Sequence, residues 1–203
     1  MIAIEQIPDL QRSHMPDFTN PLALLVHCHK KIETHLCALE QVAGKLRDGT
    51  LDDRLSAFFT IDMARAHFAG PLVKHTEDEE VSLFPRLRAR GGRAVEEMLN
   101  AIGELETQHR LAEQLHSEFE TLAADIHRDG SCQTRKIDRL EALVAALCAL
   151  YRPHMRVEDE LVFPTAARLL LPSDIQAIGE EMRARRRLIL QKMAKSLAGN
   201  TST

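Results

Sequence analysis

Residues 75 to 85 read His-Thr-Glu-Asp-Glu-Glu-Val-Ser-Leu-Phe-Pro, and residues 154 to 164 read His-Met-Arg-Val-Glu-Asp-Glu-Leu-Val-Phe-Pro. Both are His-x-x-x-Glu followed by Phe-Pro at the same spacing: His75, Glu79, Phe84 and Pro85 against His154, Glu158, Phe163 and Pro164. On an α-helix, residues four apart share a face, so each copy aims an imidazole and a carboxylate the same way. Two such pairs brought together make a metal site.

The rest of the chain reads as helices that carry these pairs. Of 203 residues, 44% are hydrophobic, enough for a packed core. Ala, Leu, Glu and Arg are abundant and alternating β-branched runs are missing, which reads all-α. Asn20-Pro21 is a helix cap followed by proline at the first helical position. Asp48-Gly49-Thr50, Gly91-Gly92 and Asp129-Gly130-Ser131 are breaks, and Leu171-Pro172-Ser173-Asp174 ends one helix and caps another. These signals predict four long helices near 20–47, 52–90, 93–127 and 134–171, and a fifth near 174–197. Gly70-Pro71 should kink or interrupt the second, and Gly199 to Thr203 should fray. Short loops between long helices give an up-down-up-down antiparallel four-helix bundle with an additional C-terminal helix. The expected division is an N-terminal arm over 1–17, the bundle over 18–171, and the C-terminal helix and tail over 172–203.

Several classes are set aside. A net charge of −4 argues against a general nucleic-acid binder. The basic run Arg183, Arg185, Arg186 and Arg187 reads as a solvated helix face. No apolar run reaches the ~18 residues of a membrane span, so no membrane partner is expected. The N-terminus lacks the order of a signal peptide. Cys28, Cys37, Cys132 and Cys148 form no Cys-x-x-Cys pair and read as reduced thiols of a cytoplasmic protein.

Polar residues interrupt every apolar stripe. The first helix has Leu22, Leu25, His29, Ile32 and Leu36, and the second Phe68, Leu72, His75, Glu79 and Leu83. On the third, Val95, Ile102, His109 and His116 share one heptad position, while Met98, Leu105, Ala112 and Phe119 share the other. The fourth has Leu140, Leu143, Leu147, His154, Glu158 and Leu161. In an antiparallel hairpin, residues equidistant from the turn lie at one depth. His29 and His75 are centred on residue 52, His75 and His109 on residue 92, and His109 and His154 between 131 and 132. Each centre falls in or beside a turn signal, so all four histidines share one level. The spacings of 80 (His29 to His109) and 79 (His75 to His154) describe a duplicated helix hairpin, whose natural occupant is a symmetric pair of metals.

Imidazole and carboxylate without thiolate suit iron, manganese or zinc. Four nitrogens and two bridging carboxylates supply about eight bonds, and two octahedral ions need about twelve. Room remains for an oxo or hydroxo bridge and an exogenous ligand, which a redox-active iron pair uses best. Ferritin-like di-iron bundles need Glu-x-x-His on two different helices. Here Glu106 to His109 and Glu113 to His116 lie on the same one.

On these residues the chain resembles the hemerythrin-like (HHE cation-binding) family, in its stand-alone bacterial form. The likeness rests on Cys28-His29-Lys30-Lys31-Ile32, on His75, Glu79 and Leu83-Phe84-Pro85, on Gln108-His109-Arg110, and on Tyr151-Arg152 before His154 and Glu158. It spans roughly 20–171, and the segment from Ile178 is similar to the closing helix of stand-alone members. The resemblance implies a non-heme di-iron centre binding O2 or a related small molecule. By that likeness His29 and His75 bind one iron, His109 and His154 the other, and Glu79 and Glu158 bridge them. Oxygen carriers of the family have a further histidine where this chain has Leu105, and space the last pair as His-x-x-x-x-Asp. Both departures weigh against reversible O2 carriage. A coordination vacancy is expected, or a substitute ligand such as Glu113 or His116.

The remaining polar residues are weighed individually. His27 lies about 200° round the helix from His29 and faces outward on that reading. Glu33 and Glu113, four residues after His29 and His109, either touch the metal or form flanking bonds. His116 reads as core or as support for a ligand. Tyr151 hydrogen-bonds near the centre or simply packs. His14, His35, His67 and His127 receive no role. Four functions remain: a binder or sensor of O2, NO or peroxide; an oxidoreductase consuming peroxide or NO, or a ferroxidase; iron storage or delivery; and an interaction bundle with vestigial histidines. The sequence leaves open whether the protein is an enzyme and which protein partner it has.

Overall fold

The computed structural model describes residues 17–90, 93–129 and 133–199. The Gly91-Gly92 and Gly130-Ser131 turns, most of the N-terminal arm with His14, Cys132 and the last four residues lie outside the described residues. The described residues are helical throughout, joined by short turns, with no strand.

The first helical arm is α1 (Pro21–Glu40) followed by α2 (Val42–Asp48), offset at Gln41. Asn20 caps α1 by accepting from the Ala23 N–H, and Pro21 occupies the first position, where no N–H is needed. The second arm starts with α3 (Leu51–His67), closed by a reciprocal Thr50–Asp53 capping box. It continues through a π turn (Phe68–Leu72), α4 (Val73–Glu77), a second π turn (Asp78–Leu83) and α5 (Phe84–Arg88). The third arm is α6 (Arg93–Asp129). The fourth is α7 (Thr134–Val157), a third π turn (Glu158–Val162) and α8 (Phe163–Leu169). The arms pack 1 on 2, 2 on 3, 3 on 4 and 4 on 1, which closes the expected bundle.

The prolines account for the π turns. Gly70-Pro71 lies inside the first, so the expected kink is a widened turn and the helix runs on. Pro85 and Pro164 cannot donate to Val81 and Glu160, four residues back, and their rings crowd those carbonyls. The chain widens by one residue instead. The Phe84 N–H donates to the Glu79 carbonyl and the Phe163 N–H to the Glu158 carbonyl, each five residues back. This inserted residue shifts the helical register. Leu161, expected in the buried stripe, is half-buried, and Val162 is fully buried in its place.

Two apolar clusters form along the bundle. One gathers Ile32, Leu36, Ala57, Ile61, Phe68, Phe119, Leu140 and Leu147. The other gathers Leu25, Leu83, Phe84, Met98, Leu105, Val162 and Phe163. Each fully buried Leu, Ile or Phe contributes about 1.5–3 kcal/mol. On every arm the switch from one cluster to the other falls at the level of the four histidines.

A last helix, α9 (Pro172–Gly199), lies against α1, α4 and the Asp78–Leu83 turn. The Leu171 N–H donates to Asp174, as the capping signal implied. Ile178 and Met182 join the second apolar cluster. Gly179 meets the backbone of Phe18 so closely that a Cβ there would stand 1.9 Å from the Phe18 carbonyl oxygen, so only glycine fits.

Candidate metal centre

The six residues singled out by the repeat come together in one buried layer. The widened turns carry Glu79 and Glu158, both fully buried. His29 arrives from α1, His75 from α4, His109 from α6 and His154 from α7, each at most 5% exposed. His29 Nε2 is 3.1 Å from His75 Nε2, and His109 Nε2 is 3.1 Å from His154 Nε2. Two nitrogens at right angles on one ion, with bonds of about 2.1 Å, stand about 3 Å apart.

The carboxylates lie between the two histidine pairs. Glu79 Oε1 is 3.2 Å from His75 Nε2, and Glu79 Oε2 is 3.5 Å from His109 Nε2. Glu158 Oε2 is 3.2 Å from His29 Nε2 and 3.3 Å from His154 Nε2. Each carboxylate thus touches one histidine of each pair. The side chains fall into two overlapping groups of ligand atoms, His29, His75, Glu79 and Glu158, and Glu79, His109, His154 and Glu158.

All four carboxylate oxygens are buried and none has a hydrogen-bond donor. A buried carboxylate is ordinarily hydrogen-bonded, paired or metal-bound. Burial, then the Glu158 charge, pushes the Glu79 carboxyl well up. Burial acts on Glu158 the same way, but the close approach of the His154 and His29 rings outweighs it and holds that carboxyl low. Burial opposes protonation of His29, yet its contacts with Asp159 and Glu158 carry its pKa up to about 9. Burial and the His29 charge press His75 well down. Left to themselves, these groups are held in opposed protonation states. Two cations would let both carboxylates ionise and all four rings be neutral, so the donor set fits a metal pair.

The outer nitrogens of three rings are anchored. His29 Nδ1–H donates to Asp159 at 2.9 Å, His109 Nδ1–H to Glu80 at 2.8 Å, and His154 Nδ1–H to the Gln108 amide oxygen at 2.8 Å. Such a bond fixes the tautomer and leaves Nε2 as the lone-pair end, turned inward. Glu80 and Asp159 each follow the carboxylate of their repeat copy, and the sequence reading passed over both. The signal was there: an acid directly after Glu79 and after Glu158.

The other candidates stand outside the six. Glu33 binds Arg152 at 3.0 Å, the flanking role among its alternatives. Glu113 and His116 line a cavity of about 200 Å³ together with His109 and Tyr151, and neither belongs to the ligand groups. The Tyr151 hydroxyl is 3.3 Å from His116 Nε2, and the His116 ring stacks on Phe68. Leu105, where oxygen carriers place a histidine, is buried in the apolar cluster. His27 is half-buried and apart from the six. The His35 and His67 rings lie 4.3 Å apart, tilted by 31°, and His127 lies 3.2 Å from Asp62.

One expectation is corrected. The Arg183–Arg187 run is not simply a solvated face. Arg185 Nε and Arg186 Nη2 reach the fully buried Asp78 carboxylate at 2.8 and 2.7 Å. Arg183 and Arg186 also stand over the Phe18 ring, at 5.4 and 5.5 Å. Periodicity within α9 could not show this, because the acid sits on another arm. Asp78 directly precedes Glu79, so α9 is tied to the turn that carries a site carboxylate. Glu181 adds bonds to Ser82 and Arg86 of the same region.

The family model described as Hemerythrin HHE cation binding domain matches residues 20–166. A search of curated proteins finds no match.

Two predictions follow from these contacts. Asp78→Ala strips two partly exposed guanidinium groups of their buried partner, and should cost about 2–4 kcal/mol in denaturant unfolding. A loss under about 0.5 kcal/mol, the level of an ordinary surface change, would mean that the network does not hold α9. The second concerns His67, which burial, then His35 and Lys31, push from 6.5 down to about 4. The unfolded chain takes up this proton near pH 6.5 and the fold only near pH 4. Stability is therefore full above 6.5 and falls as pH drops toward 4. His67→Phe should remove on the order of 3 kcal/mol of that fall. Parallel stability-versus-pH curves for the two proteins would refute it.

Proposed function

We propose that this chain, which belongs to the hemerythrin HHE cation-binding family, is a non-heme di-iron protein that binds O2, NO or peroxide. In this reading His29 and His75 would hold one iron and His109 and His154 the other, with Glu79 and Glu158 as the carboxylates shared between them. The observation that carries it is the set of four buried carboxylate oxygens without a donor, facing four imidazole Nε2 atoms. When bound, an iron pair supplies coordination positions and electrons for a diatomic or peroxide ligand. The rest of the work falls to the chain. Asp159, Glu80 and Gln108 hold ring protons at the outer nitrogens of His29, His109 and His154. The two apolar clusters keep bulk water away on both sides.

The two halves of the site differ. By the repeat spacing, Tyr151 and His116 correspond to the apolar Leu72 and Leu36. The hydroxyl and imidazole therefore stand beside the His109–His154 half alone, in the wall of the 200 Å³ cavity. This asymmetry favours binding at that half. It also supports a second reading, turnover of peroxide or NO, because reduction needs proton donors close to the ligand. Steady consumption by the iron form would select the enzyme, and a stable adduct without consumption the binder or sensor. Among the described residues no helix is long and apolar enough to cross a membrane.

Elemental analysis of protein grown without added metal tests the proposal. Two irons per chain are expected, and His154→Ala should lower that content. Chelation should lower the melting temperature, since a metal held only by the fold contributes about 3–4 kcal/mol at 100- to 1,000-fold saturation. No metal, one tetrahedral zinc, or a melting temperature indifferent to chelation would overturn it.

A further inference from the structure

The ring protons of His29, His109 and His154 have acceptors, but His75 Nδ1 is buried with no partner. The repeat shows the difference. The position that Gln108 holds before His109 is held before His29 by Cys28, and this thiol makes no hydrogen bond to the His75 ring. His75 and Cys28 both line a cavity of about 600 Å³. Two further buried nitrogens without partners, His27 Nε2 and His67 Nε2, belong to residues in the same wall. An unsatisfied buried polar atom costs about 1–3 kcal/mol, so three around one cavity call for an occupant with hydrogen-bonding atoms.

The remaining wall narrows the chemistry. Leu24, Ile32 and Leu72 offer an apolar surface, and Lys31, Lys74 and Arg186 supply three cationic side chains. Lys74 is paired with Glu77 and Arg186 with Asp78, while Lys31 makes no ion pair with any described residue. Charge complementarity selects an anion, and the apolar wall selects a hydrocarbon body.

We propose that the cavity between His75, Cys28 and Lys31 binds a small monocarboxylate with an apolar body. Its carboxylate accepts from the wall imidazoles and from Lys31. Where His75 holds metal through Nε2, its Nδ1 must carry the proton, and the ligand supplies the acceptor that Asp159 and Glu80 supply to His29 and His109. That last step rests on the di-iron reading. The pocket would make one half of the metal centre responsive to an organic anion.

Titration calorimetry of the full chain, purified after supply of iron, with octanoate, and with acetate as the short control, tests this. Saturable one-to-one binding of octanoate is expected, with acetate far weaker. Cys28→Gln places an amide beside His75 and narrows the cavity there. Lys31→Glu reverses the unpaired charge at an exposed position that the fold tolerates. Each should weaken octanoate at least about tenfold, equivalent to about 1.4 kcal/mol. No heat with octanoate, equal binding of acetate, or wild-type affinity in both variants would overturn the proposal. Iron content of the same samples separates the two readings. Iron without octanoate binding removes the pocket alone. Octanoate binding that the variants weaken, in protein that takes up no iron, upholds the pocket and removes the di-iron reading.

Discussion

Two carboxylates, Glu79 and Glu158, lie fully buried between two pairs of histidines, and none of their oxygens has a hydrogen-bond partner. Like charges in so dry a place repel strongly, and burial penalises each charge as well. Nothing in an apolar bundle would select that arrangement for stability. The chain nevertheless builds it, from two copies of one phrase, and surrounds it with apolar side chains above and below. The fold is best understood as a frame that supports an unfavourable layer, which bound cations would neutralise.

The Phe-Pro tail is the local device that makes the layer possible. A proline six residues after each carboxylate removes one helical hydrogen bond, and the backbone answers with a π turn beginning at or next to that carboxylate. The phenylalanine fills the apolar cluster just beyond the site. The acid that follows each carboxylate turns to the outer nitrogen of a histidine on a neighbouring arm. One short repeat therefore supplies a histidine–carboxylate pair, the bend that places it, a packing anchor and a hydrogen bond to a histidine of another arm.

The symmetry is imperfect, and the departures carry the chemistry. Tyr151 and His116 give one half a polar cavity wall, whereas the other half has Leu72 and Leu36. Gln108 satisfies His154, whereas Cys28 leaves His75 without an acceptor beside a much larger cavity. The fifth helix adds a further asymmetry, since its arginines grip Asp78 next to Glu79 and nothing comparable holds Val157 next to Glu158. A duplicated scaffold has thus acquired two unlike faces.

The sequence by itself determined the helical class, the five-helix order and the meeting of six side chains. Those follow from short-range rules: a period of 3.6 residues, turn chemistry, and equal distances from successive turns. Local signals also placed Asn20, the Thr50 turn and Asp174 where helices begin. Only the tertiary structure decided what depends on distant partners. The π turns moved Val162 into the place of Leu161, because the register after a proline depends on how the widened turn packs. Arg185 and Arg186 proved to be anchors, since their acid lies about a hundred residues away on another arm. Glu33 was assigned to Arg152 and Tyr151 to His116 by neighbours that no spacing along a single helix could reveal. Periodicity says which way a side chain points, and only packing between arms says what it meets.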